Sequence, residues 1–312
     1  MHLNRRRLLA AGAALVAGRV HAEAPLRIVV AYPTGGVSDE IARLLAERLA
    51  AERGETVLVE NRPGGGGGIA MEMLARAPGD GRLLVFSALS PLTALPRQGL
   101  VRYDPLRDIA PVAAVMNTAT LVAGTAALEA ESFAQMVALA RAKPAALRWA
   151  TTGVGTTGHR VLDGVATTLG LEIVHIPYKG GGQSLVDALG GQFELMSTNV
   201  AAAQLQHVAQ RRLKALAVGA PQRLPALPQV PTLAELGVPK ANLVSRFGLF
   251  APGGTPRALR RSLNAQVNRA LQSPALQSRL RAGHNDIVAG SSVGDFEAAI
   301  CAEMGLAARC FR

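Results

Sequence analysis

The fold is decided by residues 26–50, which read LRIVVAYPTGGVSDEIARLLAERLA. The apolar run at 26–31 is typical of a strand covered on both faces, and the PTGG sequence that follows it ends the strand. Ser38 is a favourable helix N-cap, and apolar residues then recur at helical spacing. A glycine loop before a helix directs several backbone N–H groups at one point, which suits an anion. The alternative is that Gly35 and Gly36 only form a βα turn.

Later segments repeat this order of strand, small polar loop and helix. A predicted strand ends in a loop with Ser87 and Ser90, at the carboxyl end where open α/β sheets bind ligands. The strand at 147–150 runs into TTGVGTTGH at 151–159 and then into an apolar-periodic helix. Hydroxyl groups and His159 are crowded at this helix start, which favours a ligand site, although a single histidine is more often structural or solvated.

Strand and helix patterns alternate along the chain, which predicts an α/β fold of largely parallel sheets covered by helices. Apolar segments at 111–116 and 119–123 are predicted as two strands by which the chain leaves its first lobe, and a proline-rich connector at 221–231 leads back to it. We therefore predict two lobes with a cleft between them. The predicted boundaries are 24–122 plus 223–312 for lobe 1 and 123–222 for lobe 2.

Composition restricts the class of function. The 312 residues carry a formal charge of +11, of which four arginines lie in the leader described below, leaving +7. A basic surface attracts several kinds of anion, but aromatic residues make up only 4% and no basic stretch is interleaved with them, which disfavours nucleic acid. No His, Cys, Asp or Glu cluster has metal-ligand spacing. The five consecutive glycines at 64–68 lack the spacing of a dinucleotide fingerprint and there is no Walker lysine, so no metal or cofactor is predicted.

Residues 1–22 resemble a secretory signal peptide, with arginines at 5–7 and an apolar core at 8–17 that is too short to span a bilayer. Cleavage is expected near Ala22 or Ala24, which places the mature protein outside the cytoplasm. The export route, general secretory or twin-arginine, stays open.

The two cysteines, Cys301 and Cys310, leave a disulfide open. An oxidising compartment permits one. On one continuous helix over 293–309, however, nine residues would separate them by roughly 13 Å, which is too far for a bond. A disulfide therefore requires a break in the helix, which Gly305 can supply.

Six motifs in order give the chain a family resemblance. They are YPTGGVSD at 32–39, VENRPGGGG at 59–67, TGVGTTGH at 152–159, VHIPYKG at 174–180, LPQVPT at 227–232 and FGLFAPGGTP at 247–256. Together they resemble the periplasmic solute receptors of tripartite tricarboxylate transporters, the Bug receptors, from residue 26 to about residue 305.

The resemblance implies a two-lobed, periplasmic-binding-protein-like (Venus-flytrap) fold that closes on a small organic carboxylate and delivers it to the membrane permease subunits of a transporter. It implies a periplasmic monomer. The implied ligand-binding residues of lobe 1 are Tyr32, Thr34, Gly35, Gly36, Ser38, Asp39, Ser87 and Ser90. Those of lobe 2 are Thr152, Gly153, Gly155, Thr156 and His159.

Two positions depart from the family pattern. Thr198 stands where members commonly have an aspartate. If that aspartate recognises a hydrogen-bond donor group on the ligand, this protein should prefer a ligand with a different polar group at that end. Arg246 stands where members often have a tryptophan. If it faces the cleft, Arg246 can form a forked pair with a distal carboxylate; the alternative is a solvated side chain at a strand start. Both residues are included among the expected ligand-binding positions.

Two alternative functions remain open on the sequence. In the first, the ligand-loaded protein acts on the ectodomain of a membrane sensor kinase, which the sequence does not separate from transport. An enzyme acting on a carboxylate or ester would need Thr152, Thr156 or Thr157 as nucleophile and His159 as base. The chain has no HExxH motif, so we do not expect an enzyme.

Overall fold

The computed structural model describes residues 24–307, 310 and 311. The predicted signal peptide and the Ala22 cleavage site lie outside the described residues. Among the helices of the described part, none combines the length and the apolar character that a bilayer span requires.

The elements follow one another in three groups. The first contains β1 (Leu26–Val30), α1 (Val37–Arg53), β2 (Val57–Asn61), α2 (Gly68–Ala75), β3 (Leu83–Ala88), α3 (Ser90–Thr93) and β4 (Ile109–Gly124). The second contains α4 (Phe133–Ala142), β5 (Arg148–Thr151), α5 (Thr157–Leu169), β6 (Val174–Pro177), α6 (Gly181–Leu189), β7 (Leu195–Asn199), α7 (Ala202–Ala209) and β8 (Lys214–Gly219). The third contains β9 (Val244–Pro252), α8 (Arg257–Leu271), α9 (Pro274–Ala282), β10 (Asn285–Ile287) and α10 (Val293–Glu303).

The strands form a two-lobed sheet whose halves share β4, in the order β2-β1-β3-β9-β4-β7-β5-β6, with β8 and β10 also paired to β4. In the first half, β1 is parallel to β2 and β3, while β9 is antiparallel to β3 and β4. In the second half, β5 is parallel to β6 and β7, while β7 and β8 are antiparallel to β4. The predicted parallel pairing therefore holds within each lobe, and the strands that connect the lobes run antiparallel.

Strand β4 corrects the prediction of two separate strands. Residues 109–119 pair with β9 and residues 120–124 pair with β7 and β8, so one continuous strand carries the chain from the first lobe into the second. Asn117 and Thr118 do not interrupt it, because β9 and β10 supply ladder partners on both sides of them. Pairing on both sides overrides the low strand preference of asparagine.

The cores explain why β1 is apolar at successive positions. Ile28 packs in a cluster with Leu45 of α1, whereas its neighbour Val29 packs in another with Met71 of α2. Successive side chains of a strand point to opposite faces, so helices cover β1 on both sides. In the second lobe the fully buried Trp149 of β5 packs with Phe133 of α4 and neighbouring residues.

The last helix ends earlier than predicted and brings the cysteines together. α10 stops at Glu303, and Gly305 adopts a left-handed backbone with φ +68°. The chain then turns back, and Cys301 and Cys310 form a disulfide with their Cα atoms 5.8 Å apart. The helix predicted over 293–309 was wrong in its extent, and Gly305 lies at the break that a disulfide requires.

Candidate functional site

A cavity of about 230 Å³ lies between the two lobes. Both lobes contribute to its wall: the loop after β1 on one side, and the residues that begin α5, α6 and α7 on the other. The lining includes Tyr32, Pro33, Thr34, Gly35, Gly36, Val37, Ser38, Glu40, Ala88, Ser90, Thr152, Thr156, Thr157, Gly158, Gly180, Gly181, Gly182, Leu185, Thr198, Asn199, Ala201, Ala202, Ala203, Gln204, Ser245, Phe247 and Arg279.

Four helices of eight or more residues in the described part of the chain begin at the wall of this cavity. Their first residues, at 37–38 in α1, 157–158 in α5, 181–182 in α6 and 202–203 in α7, all line it. The first N–H groups of a helix have no partner within the helix, and the N-terminal end carries a partial positive charge of about half a unit. Four such ends around one cavity make a strongly anion-attracting site without requiring a cationic side chain.

The side chain of Asp39 fixes the conformation of the glycine loop of the first lobe. Its carboxylate accepts hydrogen bonds from the Gly35 N–H at 3.0 Å and the Asn61 amide at 2.9 Å, and Arg43 lies 2.9 Å away. Burial alone would raise the pKa of Asp39, but these partners outweigh burial and hold the pKa below its usual range. Asp39 is not among the lining residues, so it shapes the loop rather than facing the cavity.

The start of α1 differs from the predicted cap. The N-cap is Gly36, whose backbone is extended, and Ser38 lies in the first helical turn, where it lines the cavity. Gly35 has φ +79°, a conformation that favours glycine. The loop thus turns sharply with no side chain in front of the helix end, which leaves the N–H groups accessible.

Tyr32 and the serines after β3 line or support the same wall. The buried Tyr32 hydroxyl accepts the Ala88 N–H at 3.1 Å, and its ring packs edge-on against Phe247 with centroids 5.9 Å apart. Burial raises the pKa of Tyr32, so the ring stays neutral. Ser90 lines the cavity, whereas Ser87 is fully buried beside Tyr32 and is not part of the lining.

The hydroxyl-rich loop of the second lobe is fixed by its own hydrogen bonds. Thr156 donates to the Gly153 carbonyl at 2.7 Å and caps α5 by accepting the His159 N–H. The His159 Nδ1 accepts the Gly155 N–H at 3.0 Å. Thr152 and Thr156 line the cavity, while Gly153, Gly155 and His159 hold the loop in shape from behind.

These contacts do not form the nucleophile–base pair that an enzyme would need. The His159 Nδ1 is occupied by a backbone N–H, its Nε2 lies 3.5 Å from Asp163, and its ring stacks on His175 at 4.2 Å. The Nε2 of His175 in turn lies 2.8 Å from the Thr151 hydroxyl. Burial and the neighbouring His159 lower the pKa of His175 to about 4, so this ring is neutral near pH 7.

The two lobes touch each other through glycines. An alanine Cβ at Gly66 would lie 2.7 Å from the Val154 carbonyl oxygen, and one at Gly180 would lie 2.6 Å from Pro33 Cδ. Contacts this close are possible only because side chains are absent there. The structure therefore represents a closed arrangement of the two lobes.

Arg246, which was expected to contact a distal carboxylate, is not among the residues that line the cavity. Its Nη1 lies 3.7 Å from Glu303 Oε2. The other oxygen of Glu303 accepts from Arg160 of α5 at 3.2 Å and from Thr93 of α3 at 3.0 Å. This group, here called the Glu303 cluster, joins the end of α10 in the first lobe to α5 in the second.

Nine of the fifteen predicted residues line the cavity: Tyr32, Thr34, Gly35, Gly36, Ser38, Ser90, Thr152, Thr156 and Thr198. Six do not: Asp39, Ser87, Gly153, Gly155, His159 and Arg246. Sequence reasoning missed the starts of α6 and α7 and the ion pair between Arg279 and Glu40. The KGGG sequence at 179–182 was a usable signal for α6, since it repeats the pattern of a glycine loop before a helix.

The chain is similar to proteins of a known family. Residues 41–300 match the family described as "Tripartite tricarboxylate transporter family receptor". Protein BugT of Bordetella pertussis (strain Tohama I) is 34% identical over 266 residues, which cover 85% of this chain and 81% of BugT.

Two solved structures resemble the whole fold. A structure of an R. palustris protein with adipate has a TM-score of 0.81 and 31% identity, covering 90% of this chain and 94% of that one. MatC from Rhodopseudomonas palustris with bound malate has a TM-score of 0.84 and 25% identity, covering 90% and 96%. The chain therefore belongs to the receptor family of the tripartite tricarboxylate transporters.

Proposed function

We propose that this protein captures a small organic carboxylate in the cavity between its lobes and presents it to the membrane permease of a tripartite transporter. The observation that carries the proposal is the convergence of four helix N-termini on one cavity between two lobes that touch each other. Desolvated N–H donors from both lobes bind a carboxylate by charge-assisted hydrogen bonds, each contributing about 1.5–3 kcal/mol.

The loop at 34–38 and the loop at 152–158 are the proposed clamps. Each supplies the start of a helix, from α1 and α5 respectively, and each lies in a different lobe, with the lobe boundaries placed at 122/123 and 222/223. A carboxylate held by both loops bridges the lobes and stabilises the closed state. The permease then recognises a surface that exists only when the ligand is enclosed.

The proposed site of action is the periplasm, where the signal-like leader would direct the chain. Relatives support the ligand class: the structures named above hold adipate and malate, which are both small carboxylates. We further propose that the protein is a receptor and not a catalyst, because the Thr156 hydroxyl and the His159 Nδ1 are engaged in holding their loop.

The test is a binding panel on purified protein that has been unfolded and refolded to release any trapped ligand. Mono-, di- and tricarboxylates, amino acids and aromatic acids are screened by thermal shift and then by calorimetry. At 100 times its dissociation constant, a ligand adds about 2.7 kcal/mol to the free energy of unfolding. The proposal predicts selective stabilisation by one class of acid that is recovered unchanged; conversion of the acid, or preference for a non-acid, would refute it.

Deletion of the gene separates transport from signalling. Loss of uptake of the identified acid supports delivery to a permease. Lost induction of acid-responsive genes with intact uptake would instead assign the loaded protein to a membrane sensor kinase.

A further inference from the structure

The start of α7 is an unusual part of the cavity wall. Its N-cap is Ala201, and no side chain of the described residues caps it. Ala202 and Ala203 follow, and all three alanines line the cavity. Helices usually begin at Ser, Thr, Asp or Asn, whose oxygen satisfies the first N–H groups. Here those donors are left for whatever occupies the cavity.

Gln204, in the same turn, adds a second polar group. It lines the cavity, the residue is 7% exposed, and its buried Oε1 has no hydrogen-bond partner among the described residues. An unsatisfied buried amide oxygen is costly, so native proteins pair such groups. Two other polar residues of the wall bond to each other, since Ser245 donates to the Asn199 Oδ1 at 2.6 Å.

The two features together specify a kind of ligand group. The N–H groups of α7 require an acceptor, and the amide oxygen of Gln204 requires a donor. A hydroxyl satisfies both with one oxygen atom, since it accepts and donates at once. A second carboxylate would accept from the N–H groups but would leave the amide oxygen without a donor.

An ammonium group fits less well than a hydroxyl. The positive end of α7 repels a cation. The one carboxylate on the wall, that of Glu40, is already paired with Arg279. The donor that Gln204 meets is therefore neutral.

We propose that Gln204 and the start of α7 form a hydroxyl-recognising subsite, so that the ligand class is a hydroxylated carboxylic acid. This inference rests on the proposed function, in which the clamps at 34–38 and 152–158 hold the carboxylate. The α7 subsite then binds the hydroxyl group of the same ligand. Gln204 is then a specificity-determining residue rather than part of the clamp.

The experiment compares acids that differ only in a hydroxyl group: malate with succinate, 4-hydroxybutyrate with butyrate, and 4-hydroxybenzoate with benzoate. The three pairs place the hydroxyl at different distances from the carboxylate. Calorimetry on the refolded protein is expected to give at least tenfold tighter binding for the hydroxylated member of one or more pairs. In Gln204→Leu, and in the closer isostere Gln204→Met, that preference is expected to fall below twofold.

Gln206→Leu is the matched control, because Gln206 is on the same helix and exposed; it should retain the full preference. Thermal melts of each ligand-free variant report whether it is folded. The inference is overturned if the parent binds carboxylates without favouring a hydroxyl, or if Gln204→Leu and Gln204→Met keep the preference. Failure of every carboxylate to bind the parent would instead refute the proposed function itself.

Discussion

Replacing Gly180 with alanine tests whether the lobes close on the ligand. Gly180 precedes α6 in the second lobe and has φ 174°, an extended backbone that any residue adopts. The substitution therefore strains no local conformation. In the closed arrangement, however, the new Cβ would lie 2.6 Å from Cδ and 2.8 Å from Cγ of Pro33, which belongs to the first lobe.

The size of the effect follows from that contact. Carbon atoms pack at about 3.5–4.0 Å, so the two loops must separate by roughly 1 Å to admit the methyl group. Overpacking of this kind costs about 1–3 kcal/mol. The closed state alone carries this cost, because opening the lobes removes the contact with Pro33. The dissociation constant of the ligand should therefore rise by about 5- to 150-fold.

Calorimetry with the tightest acid from the binding panel measures this change. Gly254→Ala is the control, since an alanine there meets no atom within 4 Å and lies outside the cavity lining. It should bind as the parent does, and urea midpoints of both ligand-free variants should stay near that of the parent. A dissociation constant for Gly180→Ala within twofold of the parent value would refute the closed-lobe account.

Three further perturbations address other parts of the site. Gly36→Val should fold, because a Cβ at Gly36 meets only the Pro33 carbonyl oxygen at 3.9 Å. The side chain should nevertheless weaken ligand binding more than tenfold, because it fills the cavity beside α1. Parental affinity by calorimetry would reject the first-lobe clamp. Arg160→Ala removes the interlobe partner of Glu303. Since partly exposed ion pairs contribute up to about 1 kcal/mol, the affinity for the ligand should fall by up to about fivefold and should depend less on salt concentration. An unchanged salt dependence of ligand binding would count against a role for the Glu303 cluster. The pKa of His175 is lowered to about 4 from the usual 6.5, so between these values the unfolded chain binds more protons than the folded chain and the free energy of unfolding falls as pH decreases. Urea melts at pH 7 and pH 5 should therefore show a smaller fall in the free energy of unfolding for His175→Gln than for the parent. An equal fall in both proteins would contradict this assignment.

The sequence predicted the parts of the site that are local in the chain. The loop at 34–38 was predictable because strand, glycines and helix follow one another directly, and the structure places it on the cavity wall. The same reasoning predicted Thr152 and Thr156, which also line the cavity. It could not foresee that Asp39 and His159 bond to their own loops instead of lining the cavity, because three-dimensional packing decides which way a residue in the first turn of a helix points.

Long-range contacts were the other limit. Nothing near Arg246 in the sequence indicated Glu303, 57 positions away, as its neighbour. The start of α7 is not predictable for a different reason. Ala201, Ala202 and Ala203 carry no polar side chain, and a sequence does not show which backbone N–H groups of a helix start face a cavity. The sequence predicts two strands in place of β4 because local strand preference does not reveal that Asn117 has ladder partners on both sides.

The most direct test of the central claim is a crystal structure of the protein with the acid that binds most tightly. The account predicts that one carboxylate lies between the lobes, with its oxygens within hydrogen-bond distance of backbone N–H groups at the starts of both α1 and α5. A carboxylate bound outside the cavity, or one held by a single lobe with no contact to the other, would contradict the account.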